Sequence, residues 1–167
     1  DPNSAHADEN GFRKDVLDAL RQLRMTTMRY PGGNLASGYH WMDGIGPRKQ
    51  RPTMRELAWQ SIEPNQFGTD EFMKMACMMD WTPMVTVNLG TGTPEEARNW
   101  VEYCNCLVGS RYADLRAENG SKDPYQVKLW CLGNEMDGPW QLGHVPADQY
   151  AIQAQQAAKL MKDTDPN

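Results

Sequence analysis

The stretch QVKLWCLGNEMDGPWQLGH, residues 126–144, sets the terms for the whole chain. Its first seven residues (126–132) are rich in β-branched, aromatic and aliphatic side chains, and Gly133 then breaks the run. That pattern predicts a buried strand. The strand delivers an amide and a carboxyl, Asn134 and Glu135, at its C-terminal end. Two earlier stretches repeat the arrangement. Residues 25–30 (MTTMRY) form a short strand candidate, halted by Pro31-Gly32-Gly33 and followed by Asn34. Residues 83–89 (PMVTVNL) form another, with Asn88 near its end and Gly90 and Gly92 after it. Helical patterns separate these strands. Residues 11–24 carry Phe12, Val16, Leu20 and Leu23 as one face. Thr69 is a candidate cap for a helix bearing Phe72, Met75, Ala76 and Met79. Thr93-Pro94-Glu95-Glu96 is the clearest start signal, with Thr at the N-cap and Pro at the first helical position. Ala97, Trp100, Val101 and Cys104 then follow at helical spacing. Pro146 opens a last helix with Tyr150, Ala154, Ala157, Ala158 and Met161 on one face and Lys159 and Lys162 near its end. Residues 31–68 read as a long loop rich in Gly, Pro, Arg and Trp.

The order α-β-α-β-α-β-α implies an α/β protein with a parallel sheet. Neither G-x-G-x-x-G nor the phosphate-loop pattern occurs, so the two common nucleotide-binding versions lack their fingerprint. A (β/α)8 barrel remains, whose chemistry sits at the C-terminal ends of its strands. The asparagines and Glu135 fall there.

Composition narrows the function classes. The 167 residues carry 17 basic and 22 acidic side chains, a net charge of −5, with 40% hydrophobic and 23% charged residues. That is ordinary globular usage. It excludes disorder, offers no basic surface for nucleic acid, and holds no apolar run long enough to span a membrane as a helix. Four cysteines, Cys77, Cys104, Cys106 and Cys131, form no C-x-x-C pair, and His6, His40 and His144 are isolated from them. No metal site is expected, and buried free thiols suit a reducing, cytoplasmic setting. By length alone the chain is one domain.

Glu135 is the sharpest chemical candidate. A carboxyl at a strand-end rim among aromatics is expected to be partly desolvated, the condition that favours a general acid. An acidic loop residue without a role is the alternative. Tyr30, Tyr39, Trp41, Trp59 and Trp140 lie in or beside post-strand loops, where they serve either as platforms for the apolar faces of sugar rings or as anchors for long loops. Trp81 and Trp100 read as core. Arg29 pairs either with a site carboxylate or with a structural one. Asp43 and Asp137 are candidate hydrogen-bond partners for the site, and Arg48, Lys49, Arg51 and Arg55 read as a solvated run. Asn119-Gly120-Ser121 reads as a turn.

Five blocks carry a family resemblance: RYPGGN (29–34), SGYHWMDGIGP (37–47), FGTDEFM (67–73), VNLGTGTPEEA (87–97) and GNEMDGPWQLGH (133–144). In this order, and extending from ADENGFRKDVLDAL (7–20) to AAKLMKDTDPN (157–167), the sequence closely resembles glycoside hydrolase family 51, the α-L-arabinofuranosidases. The resemblance implies a (β/α)8 barrel with a smaller β-sandwich domain, and a retaining exo-acting hydrolase working through two glutamates without a cofactor. It assigns Glu135 as general acid/base. It places Asn34, with Gly33 and Arg29 in the same turn, at the bound sugar and has Trp59 shape the pocket; Asn134, beside Glu135, is itself able to hydrogen-bond a polyhydroxylated substrate. Leu35-Ala36 departs from the aromatic–small pair common in the family. The second glutamate, the nucleophile, belongs to the seventh barrel strand. Residues 1–167 would then be a partial catalytic domain, helix 1 through helix 4 with strands 2 to 4. The first strand, strands 5–8 and the β-sandwich would lie outside it. The substrate would be arabinan, arabinoxylan or arabino-oligosaccharide, and family members often assemble as hexamers. A carbohydrate-binding piece without catalysis and a half-barrel that needs a complementary chain are the alternatives. Endo-acting xylanases or glucanases share the Asn-Glu strand end but not RYPGGN or the GTGT-PEEA block.

Overall fold

A computed structural model describes residues 4–167. Its centre is a three-stranded parallel sheet in the order β1 (Thr27–Tyr30), β4 (Thr82–Val87), β5 (Leu129–Leu132). Thr27 pairs in register with Thr82 and Tyr30 with Val85 on one side of β4; Met84 pairs with Leu129 and Val87 with Leu132 on the other. Helices α1 (Lys14–Gln22), α2 (Thr69–Met79), α3 (Pro94–Asn105), α4 (Arg111–Glu118) and α5 (Ala147–Thr164) connect or flank the strands. The α/β class and the parallel sheet expected from the alternating pattern are therefore present. All three strands point the same way, so the segments after Tyr30, Val87 and Leu132 emerge on one rim.

The core lies between the sheet and its helices. Val85 and Val87 of the central strand are wholly buried, with Trp100, Val101 and Cys104 of α3 and Phe72 and Ala76 of α2. Trp41 stacks on Trp100 at 6.0 Å between centroids, and Tyr30 on Phe72 at 4.9 Å. The start signal of α3 works as read: Thr93 accepts from the Glu96 N–H at 3.0 Å with Pro94 leading the helix. In α5, Ala157 and Met161 are buried on the expected face.

Several expectations change. The N-cap of α2 is Gly68, whose N–H donates to Glu71 at 2.8 Å; Thr69 is the first helical residue, and its hydroxyl accepts from the Trp100 indole. In α1 the core position belongs to Leu17, while Val16 and Leu23 are exposed. The third strand begins at Leu129, because Gln126 takes φ +57 and Val127 is held by Asn105, whose side-chain amide exchanges two 2.8 Å hydrogen bonds with the Val127 backbone. The stretch 31–68 is not structureless. It contains three short 3-10 turns (Asn34–Gly38, Trp41–Gly44, Arg48–Gln50) and an antiparallel hairpin, β2 (Met54–Glu56) with β3 (Ser61–Glu63). Helix α4 carries no readable apolar stripe. Its inward residues are Ala113 and Arg116, and Arg116 is buried because its guanidinium donates to the carbonyls of Tyr103, Ser121 and Lys122.

The basic run is solvated only in part, at Lys49 and Arg55. Arg51 is buried, donating to Glu71, Gly46 O and Asn65 O, and Arg48 donates to the same carboxylate. Of the cysteines, all free, Cys104 is buried, Cys106 and Cys131 are half-buried, and Cys77 is exposed at the outer side of α2, against expectation. Asn119 ends α4 and donates to the Tyr103 hydroxyl, so the Asn-Gly-Ser motif is a turn. Among the described residues no helix is long and apolar enough to cross a membrane.

Candidate functional site at the strand ends

The rim is assembled backbone against backbone. Ser37, in the first 3-10 turn after β1, accepts at its carbonyl from the Thr91 N–H and hydroxyl, both at 3.0 Å, in the loop after β4. A Cβ on Gly90 would stand 2.5 Å from Ser37 O and 2.6 Å from Leu142 O, and one on Gly143 would stand 2.3 Å from Gly90 Cα. Only glycine allows such approaches, so the loops after β1, β4 and β5 touch at one point. Asn88 serves this junction. Its amide donates to Tyr39 O and the Thr91 hydroxyl, and its oxygen accepts from the Gly90 and Thr91 N–H groups.

Upon this junction sits a chain of polar groups. Arg29 Nη1 donates to Asn134 Oδ1 at 3.1 Å, and Asn134 Nδ2 donates to Asn34 Oδ1 at 3.1 Å. A guanidinium only donates, so Arg29 fixes which end of the Asn134 amide faces it. That choice turns the Asn134 NH2 toward Asn34 and leaves the Asn34 NH2 as the donor at the end of the chain. Arg29 thus pairs with an amide of the site, not with a carboxylate. Gly33 lies alongside, where a Cβ would come within 3.9 Å of Arg29 and 4.0 Å of Asn134.

Glu135 adjoins this chain, in the left-handed region with φ +47. Its carboxylate accepts from the Trp140 indole N–H at 3.1 Å, and the Trp140 ring lies over Gly138, whose Cβ would meet it at 2.7 Å. Glu135 is exposed on these residues. The partial desolvation expected of it is not supplied within residues 4–167, because the aromatic beside it, Trp140, is itself 69% exposed. A cavity of about 330 Å3 bounded by Gly133, Glu135, Asp137, Ala147 and Tyr150 opens beside it.

The aromatic candidates divide. Tyr30, Tyr39 and Trp41 are core, not sugar platforms. The Tyr30 and Tyr39 hydroxyls meet at 2.7 Å, and burial pushes both phenols far above their usual range. Trp81 and Trp100 are core as expected. Trp140 and Trp59 remain exposed. Trp59 sits at the tip of the β2–β3 hairpin, where the Glu56 carboxylate accepts from the Ala58 and Trp59 N–H groups at 2.6 and 2.7 Å. No hydrogen bond joins it to the Asn34–Asn134 pair among the described residues. The flank of its hairpin borders a cleft of about 220 Å3 shared with Leu35, Tyr39, His40 and Leu142. Neither the Asp43 nor the Asp137 carboxylate reaches the amide chain; Asp43 lines that cleft and Asp137 is exposed beside Glu135. No group of three or more His, Cys, Asp or Glu is placed to hold a metal among the described residues.

Two residues that join the rim, Ser37 and Gln141, went unmarked in the sequence. Both lie inside the distinctive blocks, but nothing in their local pattern announces burial. Ser37 is fully buried and Gln141 is 4% exposed.

A parallel α/β protein with an arginine-ordered amide pair and a carboxylate at the carboxyl ends of its strands is the class that fold and site define. The comparisons narrow it. A family model described as the alpha-L-arabinofuranosidase 1 domain matches residues 19–167. Alpha-L-arabinofuranosidase C of Emericella nidulans is 52% identical over 167 residues, all of this chain and 33% of that protein. A Bacillus subtilis protein named intracellular exo-alpha-(1->5)-L-arabinofuranosidase 1 is 50% identical over the same span, again 33% of its length. The crystal structure of the Thermotoga maritima α-L-arabinofuranosidase in its arabinose complex superposes with a TM-score of 0.95 at 50% identity, covering 98% of this chain and 34% of that one. The family 51 enzyme of Thermotoga petrophila gives 0.96 at 49% identity, covering 99% and 34%. The chain belongs to the α-L-arabinofuranosidases of glycoside hydrolase family 51, and spans about a third of the length of the curated relatives it matches.

Proposed function

We propose that the whole protein is a retaining exo-acting α-L-arabinofuranosidase, releasing terminal arabinofuranose from arabinan, arabinoxylan or arabino-oligosaccharides. The observation that carries this reading is the Arg29–Asn134–Asn34 chain next to Glu135 at the strand ends. It offers oriented amide donors to a polyhydroxylated ring and a carboxyl to the bond beside it. Within this reading the chain supplies strands 2 to 4 and helices 1 to 4 of a (β/α)8 barrel. The first strand, strands 5–8 and a β-sandwich belong to the two thirds of the relatives' length that it does not cover.

Glu135 is the general acid/base. It protonates the leaving glycosidic oxygen as a second carboxylate attacks the anomeric carbon. It then takes the proton from the water that releases the sugar. Retention requires the two carboxyl groups about 5–5.5 Å apart, and the nucleophile comes from a later strand. Burial of Glu135 by the rest of the barrel would supply the desolvation that residues 4–167 do not. Asn34 and Asn134 bind the sugar with Arg29 and Gly33 behind them, and Trp59, at the hairpin tip, helps shape the pocket of the whole protein. No cofactor or metal takes part. The partners are the arabinofuranosyl substrate and further copies of the protein in a hexamer, without nucleic acid or membrane. A cytoplasmic location follows the Bacillus subtilis relative, which is named as intracellular.

The test is Glu135→Ala in the whole protein. General acid/base groups contribute about 10²–10⁴-fold, so substrates with poor leaving groups should slow by that order. Aryl arabinofuranosides with good leaving groups should slow less and recover in part with added azide. Undiminished hydrolysis of arabinoxylan would remove Glu135 from the role.

A further inference from the structure

The Asn34–Asn134 contact joins two loops that leave different strands, and a hydrogen bond between two amides tolerates little relative movement. Something must hold the two loops in register. Gln141, in the loop after β5, is buried beneath the rim. Its Nε2 donates to the Asn34 carbonyl at 3.3 Å and to the Ser37 hydroxyl. Ser37 is itself the point where the loop after β4 attaches, through Thr91. The turn carrying Asn34 is therefore gripped twice from the β5 loop, by Asn134 at the Asn34 side chain and by Gln141 at its carbonyl. We propose that Gln141 is a positioning residue for sugar binding, holding the 34–38 turn where the Asn34 amide meets Asn134 and presents its NH2 to a sugar hydroxyl. The inference rests on the arabinofuranosidase reading above.

The remaining chemistry of Gln141 fits a grip more than a stabilising contact. Its Oε1 is buried without a hydrogen-bond partner among the described residues, and a buried unpaired acceptor costs stability. The side chain thus makes its two donations despite that cost. Replacing it by methionine keeps length and volume, deletes both donations, and also deletes the unpaired oxygen. Gln141→Met is accordingly expected to fold, with a melting temperature lowered by the loss of two donations to buried acceptors and offset in part by removal of the unpaired oxygen.

The experiment is a double-mutant cycle in the whole protein, read as kcat/KM on 4-nitrophenyl α-L-arabinofuranoside. Gln141→Met alone should lower kcat/KM about tenfold. In an Asn34→Ala background it should lower it less than twofold, because the group it positions is gone. An equal tenfold loss in both backgrounds, or a loss under twofold in the unsubstituted background, overturns the proposal. Should Gln141→Met fail to fold, Ser37→Ala, which removes one of the two acceptors, takes its place: about threefold loss alone and none with Asn34→Ala supports the grip, and equal losses overturn it. If the unsubstituted protein itself shows no turnover, the arabinofuranosidase reading falls, and the positioning role with it.

Discussion

Glu71 and Arg51 show how far a single side chain can depart from its sequence neighbourhood. Arg51 stands in a basic run that reads as solvated, yet its guanidinium is buried and donates to Glu71 at 2.9 and 3.0 Å, with Arg48 adding a third bond at 3.1 Å. Burial alone would raise the Glu71 carboxyl. The hydrogen bonds from Arg51 and the Gly68 N–H, together with the charges of Arg51 and Arg48, outweigh it and hold the group below its usual value. A carboxyl lowered by folding contributes stability above its unfolded pKa and loses it as pH falls through the folded one. Glu71→Gln should therefore cost about 1.5–3 kcal/mol at pH 7, the order of hydrogen bonds made to a charged group. In urea unfolding that difference should shrink below about pH 4.3, the ordinary glutamate value. A cost independent of pH would show that the charge is not what matters. At the site, Glu135, Asn34, Asn134 and Gly33 were legible as residues because they sit at strand ends beside glycines. The direction of the amides was not, since it depends on Arg29 lying across the sheet from Asn134.

Among the elements, α3 was readable because a side-chain cap and a full apolar stripe agree, and α5 because of its apolar stripe alone, since Pro146 precedes it without a side-chain cap. Helix α4 was not, since a buried arginine satisfied by three carbonyls leaves no hydrophobic period. The β2–β3 hairpin was hidden for a related reason. Its strands have three residues each, and Glu56, which looks like a surface carboxylate, is spent on capping the turn that bears Trp59. The loop junction belongs to the same scale. Gly90 was visible as punctuation after a strand, but only the approach of Ser37 and Leu142 explains it. Gly90→Ala should push backbone against backbone, which flexible side chains cannot absorb. A loss of about 1–3 kcal/mol is expected, with kcat/KM falling as the rim opens. Unchanged thermal unfolding and activity would mean that the loops part without consequence.

For the molecule as a whole, β4 is covered on both sides while β1 and β5 each have one unpaired edge among the described residues. Leu129 on β5 and Ile152 and Leu160 on α5 are exposed. Open edges with apolar neighbours invite pairing. On the retaining-hydrolase reading proposed above, the 167-residue chain on its own is expected not to hydrolyse an aryl α-L-arabinofuranoside, because that mechanism needs a second carboxylate facing Glu135. Turnover by the purified chain would overturn that expectation. What the sequence determined by itself was the alternation of strands and helices, hence a parallel sheet, and the placing of asparagines and a glutamate where strands end. Both follow from local periodicity and turn chemistry, which neighbouring residues decide. What only the tertiary structure decided was which of those residues meet. Arg29, Asn134 and Asn34 come together across 105 and 100 positions of sequence. Gln141 reaches back 107 and 104 positions to Asn34 and Ser37. Contacts at that range are fixed by packing of the sheet and by glycines that let three loops touch, and no local pattern encodes them.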